Sequence, residues 1–133
     1  MELEDLYRNA REAAKHSYSP YSRFRVGAAL LCEDGTVVTG VNVENRSFGL
    51  TICAERSAVT AAVTSGRRKF RALAVCTPDA GYPVSLCGAC RQVVSEFSDP
   101  SMPVVFGHGD RIEIRTTMGE LLPLDSLHDL AGS

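Results

Sequence analysis

The chain has 133 residues, 44% hydrophobic and 23% charged, which suits one soluble globular domain with its own core and excludes a disordered tail, a coiled coil and a collagen-like chain. A formal net charge of −2 gives no basic excess for a polyanion, so nucleic acid is not an expected partner. The longest uncharged apolar runs, such as residues 26–32, are far too short to cross a bilayer, and no membrane association is expected.

The first five residues, Met1-Glu2-Leu3-Glu4-Asp5, are acidic where a secretion signal is basic and then apolar, so a cytoplasmic location is expected. Leu3, Leu6, Tyr7, Ala10, Ala13 and Ala14 recur at helical spacing and predict a helix over 3–16, ended by Tyr18-Ser19-Pro20-Tyr21. Residues 25–32 and 36–42 read as strands joined by a turn at Glu33-Asp34-Gly35. Residues 53–65 are small and helix-compatible, with Gly66 as a C-terminal stop. A strand at 71–77, a helix at 87–97, strands at 104–106 and 112–116 and a short helix at 118–122 follow. Strands and helices alternate through the middle. The expected architecture is therefore α/β, three layers (α/β/α) around a mixed five-stranded sheet. Val37, Ala61, Leu73, Val75, Val93 and Val105 are expected in the core.

Five cysteines, an odd number, in a reducing compartment argue against a disulfide framework. Cys32 and Cys76 lie in apolar strand-like runs and read as small buried hydrophobes. Cys87-Gly88-Ala89-Cys90 is a C-x-x-C, which on a helix puts both sulfurs on one face, within reach of one metal ion. Redox sites share that spacing, but they follow the first strand of their fold, and this one comes late. No second C-x-x-C exists, and Cys53 is the one further thiol available. Three ligands leave a tetrahedral zinc with one open position, where water is activated. Thr51 and Ser85 are candidate N-caps, which would put Cys53 and Cys87 in first turns, where the helix dipole favours thiolate.

Glu55 stands two residues from Cys53. At a first turn the two side chains can line one pocket, where a carboxylate beside activated water moves protons. The alternative is an ordinary first-turn Glu favoured by the helix dipole. Three thiolates on Zn²⁺ sum to −1, and Arg56 is placed to offset that charge by donating to a cysteine sulfur; otherwise it is a solvated surface Arg.

Cys53-Ala54-Glu55-Arg56 followed by Cys87-Gly88-Ala89-Cys90-Arg91-Gln92 resembles the homotetrameric, zinc-dependent cytidine deaminases, a chemistry with a known three-cysteine form. The likeness continues in Pro20-Tyr21-Ser22-Arg23-Phe24, in Val26-Gly27-Ala28-Ala29-Leu30, in Gly40-Val41-Asn42-Val43-Glu44-Asn45 and in Glu120-Leu121-Leu122-Pro123. The resemblance implies one such domain over residues 1–133 and one Zn²⁺ per chain on Cys53, Cys87 and Cys90. It implies attack of zinc-activated water at C4 of cytidine or deoxycytidine, with Glu55 shuttling protons, and pyrimidine salvage as the setting. It further implies sugar contacts from Asn42 and Glu44, packing of Phe24 on the base, and a backbone contact from Ala54. A homotetramer whose Arg46 and Phe48 segment reaches a neighbouring site is implied as well.

The chain departs from the family pattern at four places. Leu86 stands where Pro usually precedes the C-x-x-C. Arg46 and Phe48 replace a small residue and a Tyr, and residues 124–127 offer no aromatic to close the pocket. Asn42 and Glu44 share one face of an extended segment. A carboxylate there accepts from a sugar hydroxyl but repels a 5′-phosphate, which favours a free nucleoside. Two rivals stay open: a deaminase of a modified cytosine nucleoside, and a structural zinc module without catalysis. A polynucleotide editor is a weaker third, for want of a basic surface. Arg67-Arg68-Lys69 reads as a solvated loop, and His16, His108 and His128 as surface residues rather than ligands.

Overall fold

The computed structural model describes residues 1–127. In chain order it comprises α1 (Leu3–Ala14), β1 (Gly27–Cys32), β2 (Val37–Val41), a 3-10 turn (Phe48–Leu50), α2 (Ala54–Thr64), β3 (Phe70–Cys76), α3 (Gly88–Ser95), β4 (Pro103–Gly107), β5 (Ile114–Thr117) and α4 (Met118–Leu121). The sheet order is β2-β1-β3-β4-β5. β3 and β4 are parallel, joined across α3, and the other neighbours are antiparallel. The mixed five-stranded sheet is the one the sequence predicts.

Strand alternation sorts the core into two layers. Ala28, Leu30, Leu73, Val75, Val104 and Phe106 face α2 and α3, where they meet Ala58, Val59, Cys90 and Val94. Ala29, Leu31, Ala72, Ala74, Cys76 and Val105 face α1 and meet Leu6, Tyr7 and Ala10. Cys32 and Cys76 are buried, as expected. Leu73, Val75 and Val105 are fully buried core residues, whereas Val37 and Val93 are half-buried at its edge. Ala61 is a correction: it is exposed, and Ala62 takes the buried place. The buried stripe of α2 runs Ala54, Ala58, Ala62 at four-residue spacing, and Ala61 falls off it.

Turn chemistry follows the sequence closely. Gly35 has φ +89°, and Asp34 Oδ1 accepts from the Thr36 amide at 3.0 Å to close the β1–β2 hairpin. Gly66 has φ +90° and ends α2 in a paired 5→2 and 6→1 cap, Gly66 N to Val63 O and Arg67 N to Ala62 O, both 2.9 Å. β5 begins at Ile114 rather than Ile112, because the chain from His108 to Glu113 turns back on itself and the Glu113 carboxylate takes the His108 amide at 2.6 Å.

One contact fixes α2 against the sheet. A Cβ built on Gly40 of β2 would lie 2.4 Å from Ala58 N and 2.6 Å from Ala54 O. Glycine there lets the first turn of α2 lie directly on the strand. Gly40→Ala should push α2 outward and destabilise the protein by about 2–3 kcal/mol, as overpacking does. Gly35→Ala meets open space and should cost only about 1–2 kcal/mol, for its left-handed backbone. Denaturant midpoints of the two variants check that order.

Candidate metal centre and active site

The candidate site forms where α2 and α3 begin. Cys53 is the N-cap of α2 and Cys87 the N-cap of α3, each with extended backbone (φ −72°, ψ 154° and φ −70°, ψ 165°). Thr51 and Ser85 are therefore not the caps, which corrects the sequence expectation. The cysteines themselves stand where a Ser or Asp oxygen would stand, in front of amides that no helix carbonyl can satisfy. Ser85 Oγ instead accepts from Arg91 Nη2 at 3.1 Å.

Cys90, one turn into α3, is fully buried and shares the face of Cys87. The sulfurs of Cys53, Cys87 and Cys90 all lie within 4.8 Å of one another, and Cys53 Sγ and Cys87 Sγ are 4.0 Å apart. Three sulfurs on one tetrahedral zinc at about 2.3 Å stand roughly 3.8 Å apart. The donor set thus fits zinc with little movement. Among the described residues no fourth His, Cys, Asp or Glu joins the group.

The neighbours of the sulfurs carry the electrostatics. Hydrogen bonding from Cys90 is the largest influence on Cys53, and with Arg56 and Cys87 it draws that thiol down to about 5. The Cys90 thiol moves the other way, raised by that same bond to Cys53 and by its burial. Of this close pair one sulfur ionises readily and the other resists, until a cation shares the charge. Arg56 Nη2 donates to Cys53 Sγ at 3.2 Å, as expected, and the ion pair holds the guanidinium above its ordinary range. Arg56 Nε is buried without a hydrogen-bond partner among the described residues.

Glu55 is 5% exposed, on the buried stripe of α2. Burial raises its carboxyl above the usual range, and the nearby Cys53 charge adds to that. An ordinary first-turn Glu points to water. This one is withdrawn from it beside a sulfur cluster, which is where a proton carrier is needed.

The segment that carries Asn42 and Glu44 runs beside this point. Val43 pairs with Ile52, the residue before Cys53, so the end of β2 runs past the start of α2. Asn42 is buried. Its Oδ1 accepts from Ser17 Oγ at 2.5 Å and Val26 N at 2.9 Å, and its Nδ2 donates to Phe24 O at 2.8 Å. Glu44 Oε1 accepts from the amides of Tyr21 and Ser22 at 3.0 and 3.2 Å, and Oε2 accepts from Ser22 Oγ. Those bonds hold the Glu44 carboxyl below its usual range. Phe24 is half-buried and not a core residue. Ala54 is buried at the first helical position, with its amide among those the helix leaves unused. Arg46 and Phe48 are exposed, and the Phe48 ring lies edge-on to that of Tyr21 at 6.1 Å.

Arg91 was not singled out by the sequence, although it adjoins the second cysteine of the C-x-x-C. Its Nε donates to Leu86 O at 2.9 Å and its Nη1 to Leu121 O at 2.8 Å. It ties the loop that delivers Cys87 to the chain beyond β5. A long cation one residue after a ligand was the available signal. Leu86, where the family has Pro, is buried in the α2–α3 layer. His16 is exposed, and His108 lies 2.6 Å from Glu113 through Nδ1, so neither enters the cluster. His128 lies outside the described residues. A cavity of about 520 Å³ between α3 and the segment around α4 is lined by no cysteine or histidine.

These features define an α/β/α domain built around a three-cysteine metal centre with a buried carboxyl at its side. A family model described as the cytidine and deoxycytidylate deaminase zinc-binding region matches residues 1–107. A cytidine deaminase of Sporosarcina psychrophila is 50% identical over 92% of this chain and 90% of its own, and one of Halalkalibacterium halodurans 49% identical over 92% of both. The crystal structure of cytidine deaminase from Burkholderia pseudomallei superposes with a TM-score of 0.87 at 42% identity, over 93% of this chain and 98% of that one. The chain belongs to the cytidine deaminase family of enzymes. Among the described residues no helix is long and apolar enough to cross a membrane.

Removing the Arg56 guanidinium takes away one of the influences that lower the Cys53 thiol. In metal-free, reduced protein the thiolate absorbance should rise through about pH 5, and in Arg56→Met its midpoint should move to higher pH. A near-ultraviolet pH titration of both proteins reads this directly.

Proposed function

We propose that this chain is a zinc-dependent hydrolase that converts cytidine and deoxycytidine to uridine and deoxyuridine, releasing ammonia, in cytoplasmic pyrimidine salvage. Residues 1–133 would form one deaminase domain. The observation that carries the proposal is the meeting of three thiols at one point beside a buried Glu55. Zinc held there by Cys53, Cys87 and Cys90 supplies a Lewis acid that makes water a nucleophile near neutral pH.

This chain's own groups do the rest. Glu55 takes a proton from the attacking water and delivers it to N3 of the base, then takes the second proton from the new C4 hydroxyl and passes it to the amine, which leaves as ammonia while the C4 carbonyl forms. Its burial supports this role, because a carboxyl displaced upward accepts protons nearer neutrality. Arg56 keeps Cys53 ionised and offsets ligand charge. The Ala54 amide meets the base edge and Phe24 packs on its face. Asn42 spends one of its two amide hydrogens on Phe24 O, which leaves one for a sugar hydroxyl. Glu44 retains lone pairs for the same purpose, and its charge disfavours a 5′-phosphate.

A homotetramer is part of the proposal. Tyr18, Tyr21, Val43, Phe48, Leu50 and Ile52 are exposed, from 42% to 75%. Bridges from Tyr18 to Val43 and from Val43 to Ile52, with the Tyr21–Phe48 ring contact, join them into one apolar surface. That surface carries Arg46 and Phe48, which would reach a neighbour's site. Sedimentation should give about four times the 14.3 kDa chain mass, and Phe48→Glu should lower it.

A second reading, a deaminase of a modified cytosine nucleoside, has one feature in its favour. Arg46 is exposed and has no partner among the described residues, so it is available to a substituent. A blasticidin-S deaminase of Bacillus cereus is also similar, at 30% identity over 77% of both chains. Rates on cytidine, deoxycytidine and blasticidin S separate the two readings, and cytidine is expected to be fastest. Glu55→Gln should keep about one zinc per chain and lose deamination by about 10²–10⁴-fold. An undiminished rate in that variant, measured as ammonia release, would overturn the proton-carrying role of Glu55, whereas a zinc-loaded wild-type protein that releases no ammonia would leave only a structural zinc module.

A further inference from the structure

The backbone leading to Phe24 lies beyond the edge of the sheet and yet is held on both sides. β1 begins at Gly27, which pairs with Val41 of β2 and Cys76 of β3. Residues 24–26 continue that line beyond the paired strands, with one backbone bond on the β2 side, Asn42 N to Val26 O at 3.3 Å. On the β2 side, the Asn42 side chain takes the Val26 amide and gives to the Phe24 carbonyl, at 2.9 and 2.8 Å. On the β3 side, the register would bring Pro78 opposite Arg25. Proline has no N–H to offer, and the chain turns there, Ala80 N to Thr77 O at 3.1 Å. The partner is instead a carboxylate: Asp79 Oδ2 accepts from Arg25 N and Arg25 Nε, both at 2.9 Å, and Oδ1 from Arg25 Nη2 at 2.7 Å.

We infer that Arg25 and Asp79 are a positioning pair that sets the aim of Phe24 at the base. This rests on the deaminase reading proposed above. Three bonds to one carboxylate, two of them a planar fork, define direction as well as distance. Alternate backbone groups of an extended strip point to opposite sides, so Asn42 and Asp79 together fix residues 24–26 as two flanking strands would. The preceding residue, Arg23, has φ +59°, a left-handed conformation that a side-chain-bearing residue keeps only when its neighbours are held. The pair is on the surface, with side chains 44% and 28% exposed, where such pairs add little to stability. Its effect should therefore appear in substrate binding more than in folding.

The test is steady-state deamination of cytidine by the zinc-loaded, full-length enzyme. Asp79→Ala should raise KM about fivefold to tenfold while kcat stays within about twofold, since the affected contact is made in ground and transition states alike. Zinc should remain near one per chain. In a Phe24→Ala background, itself raised in KM, adding Asp79→Ala should change KM less than about twofold, because one residue acts through the other. An unchanged KM in Asp79→Ala, additive effects in the double variant, loss of zinc, or a Phe24→Ala enzyme with normal KM would each overturn the inference while the deaminase reading stands. A zinc-loaded wild-type protein inactive on cytidine would instead remove the functional reading and this inference with it.

Discussion

Two helix beginnings meeting at one point are the constraint on which this structure depends. Each begins with a cysteine in the capping position, so the two sulfurs stand before unsatisfied amides and at positive dipole ends. A third sulfur, one turn along α3, completes the group. Small residues bring α2 to that point: Gly40 admits its first turn onto β2. A long cation brings α3: Arg91 holds the loop before Cys87 by two carbonyls and a hydroxyl. Without these contacts the two helices could pack well and still miss a common centre.

The same economy governs the loop that carries Phe24. Asn42 and Glu44, the proposed sugar contacts, serve as the scaffold of residues 17–26. Between them they bond to Ser17, Tyr21, Ser22, Phe24 and Val26. Changing either residue alters the loop along with any ligand contact, so their substitutions cannot be read as lost substrate bonds alone. Asp79 differs in this respect, because it bonds the loop from outside the proposed ligand contacts.

The opposite poles of the site differ in charge and water. Glu55 and Cys90 are buried, whereas Cys87 and the 45–50 segment are open. A deaminating centre needs a dry acid–base group and also a way in for a polar nucleoside. One chain supplies a buried carboxyl for the proposed first role. The apolar surface around Phe48 offers a neighbour the means to narrow the second.

Much of this was legible in the residues themselves. Strand alternation, the turns at Gly35 and Gly66, the spacing of Cys87 and Cys90 and the pairing of Cys53 with Glu55 are local signals, set by backbone geometry and period. The three thiols had no rival use, because Cys32 and Cys76 sat in apolar strands. Other points were decided only in three dimensions. Thr51 and Ser85 have good capping side chains, but the cysteines took the caps, because the crossing of two helices fixed where each begins. Ala61 and Ala62 are indistinguishable by type, and the phase of α2 against Gly40 chose between them. Arg91 and Asp79 look like ordinary surface charges in the sequence. Their partners lie 5 to 54 residues away in the chain, and such distances are bridged only when the sheet has closed.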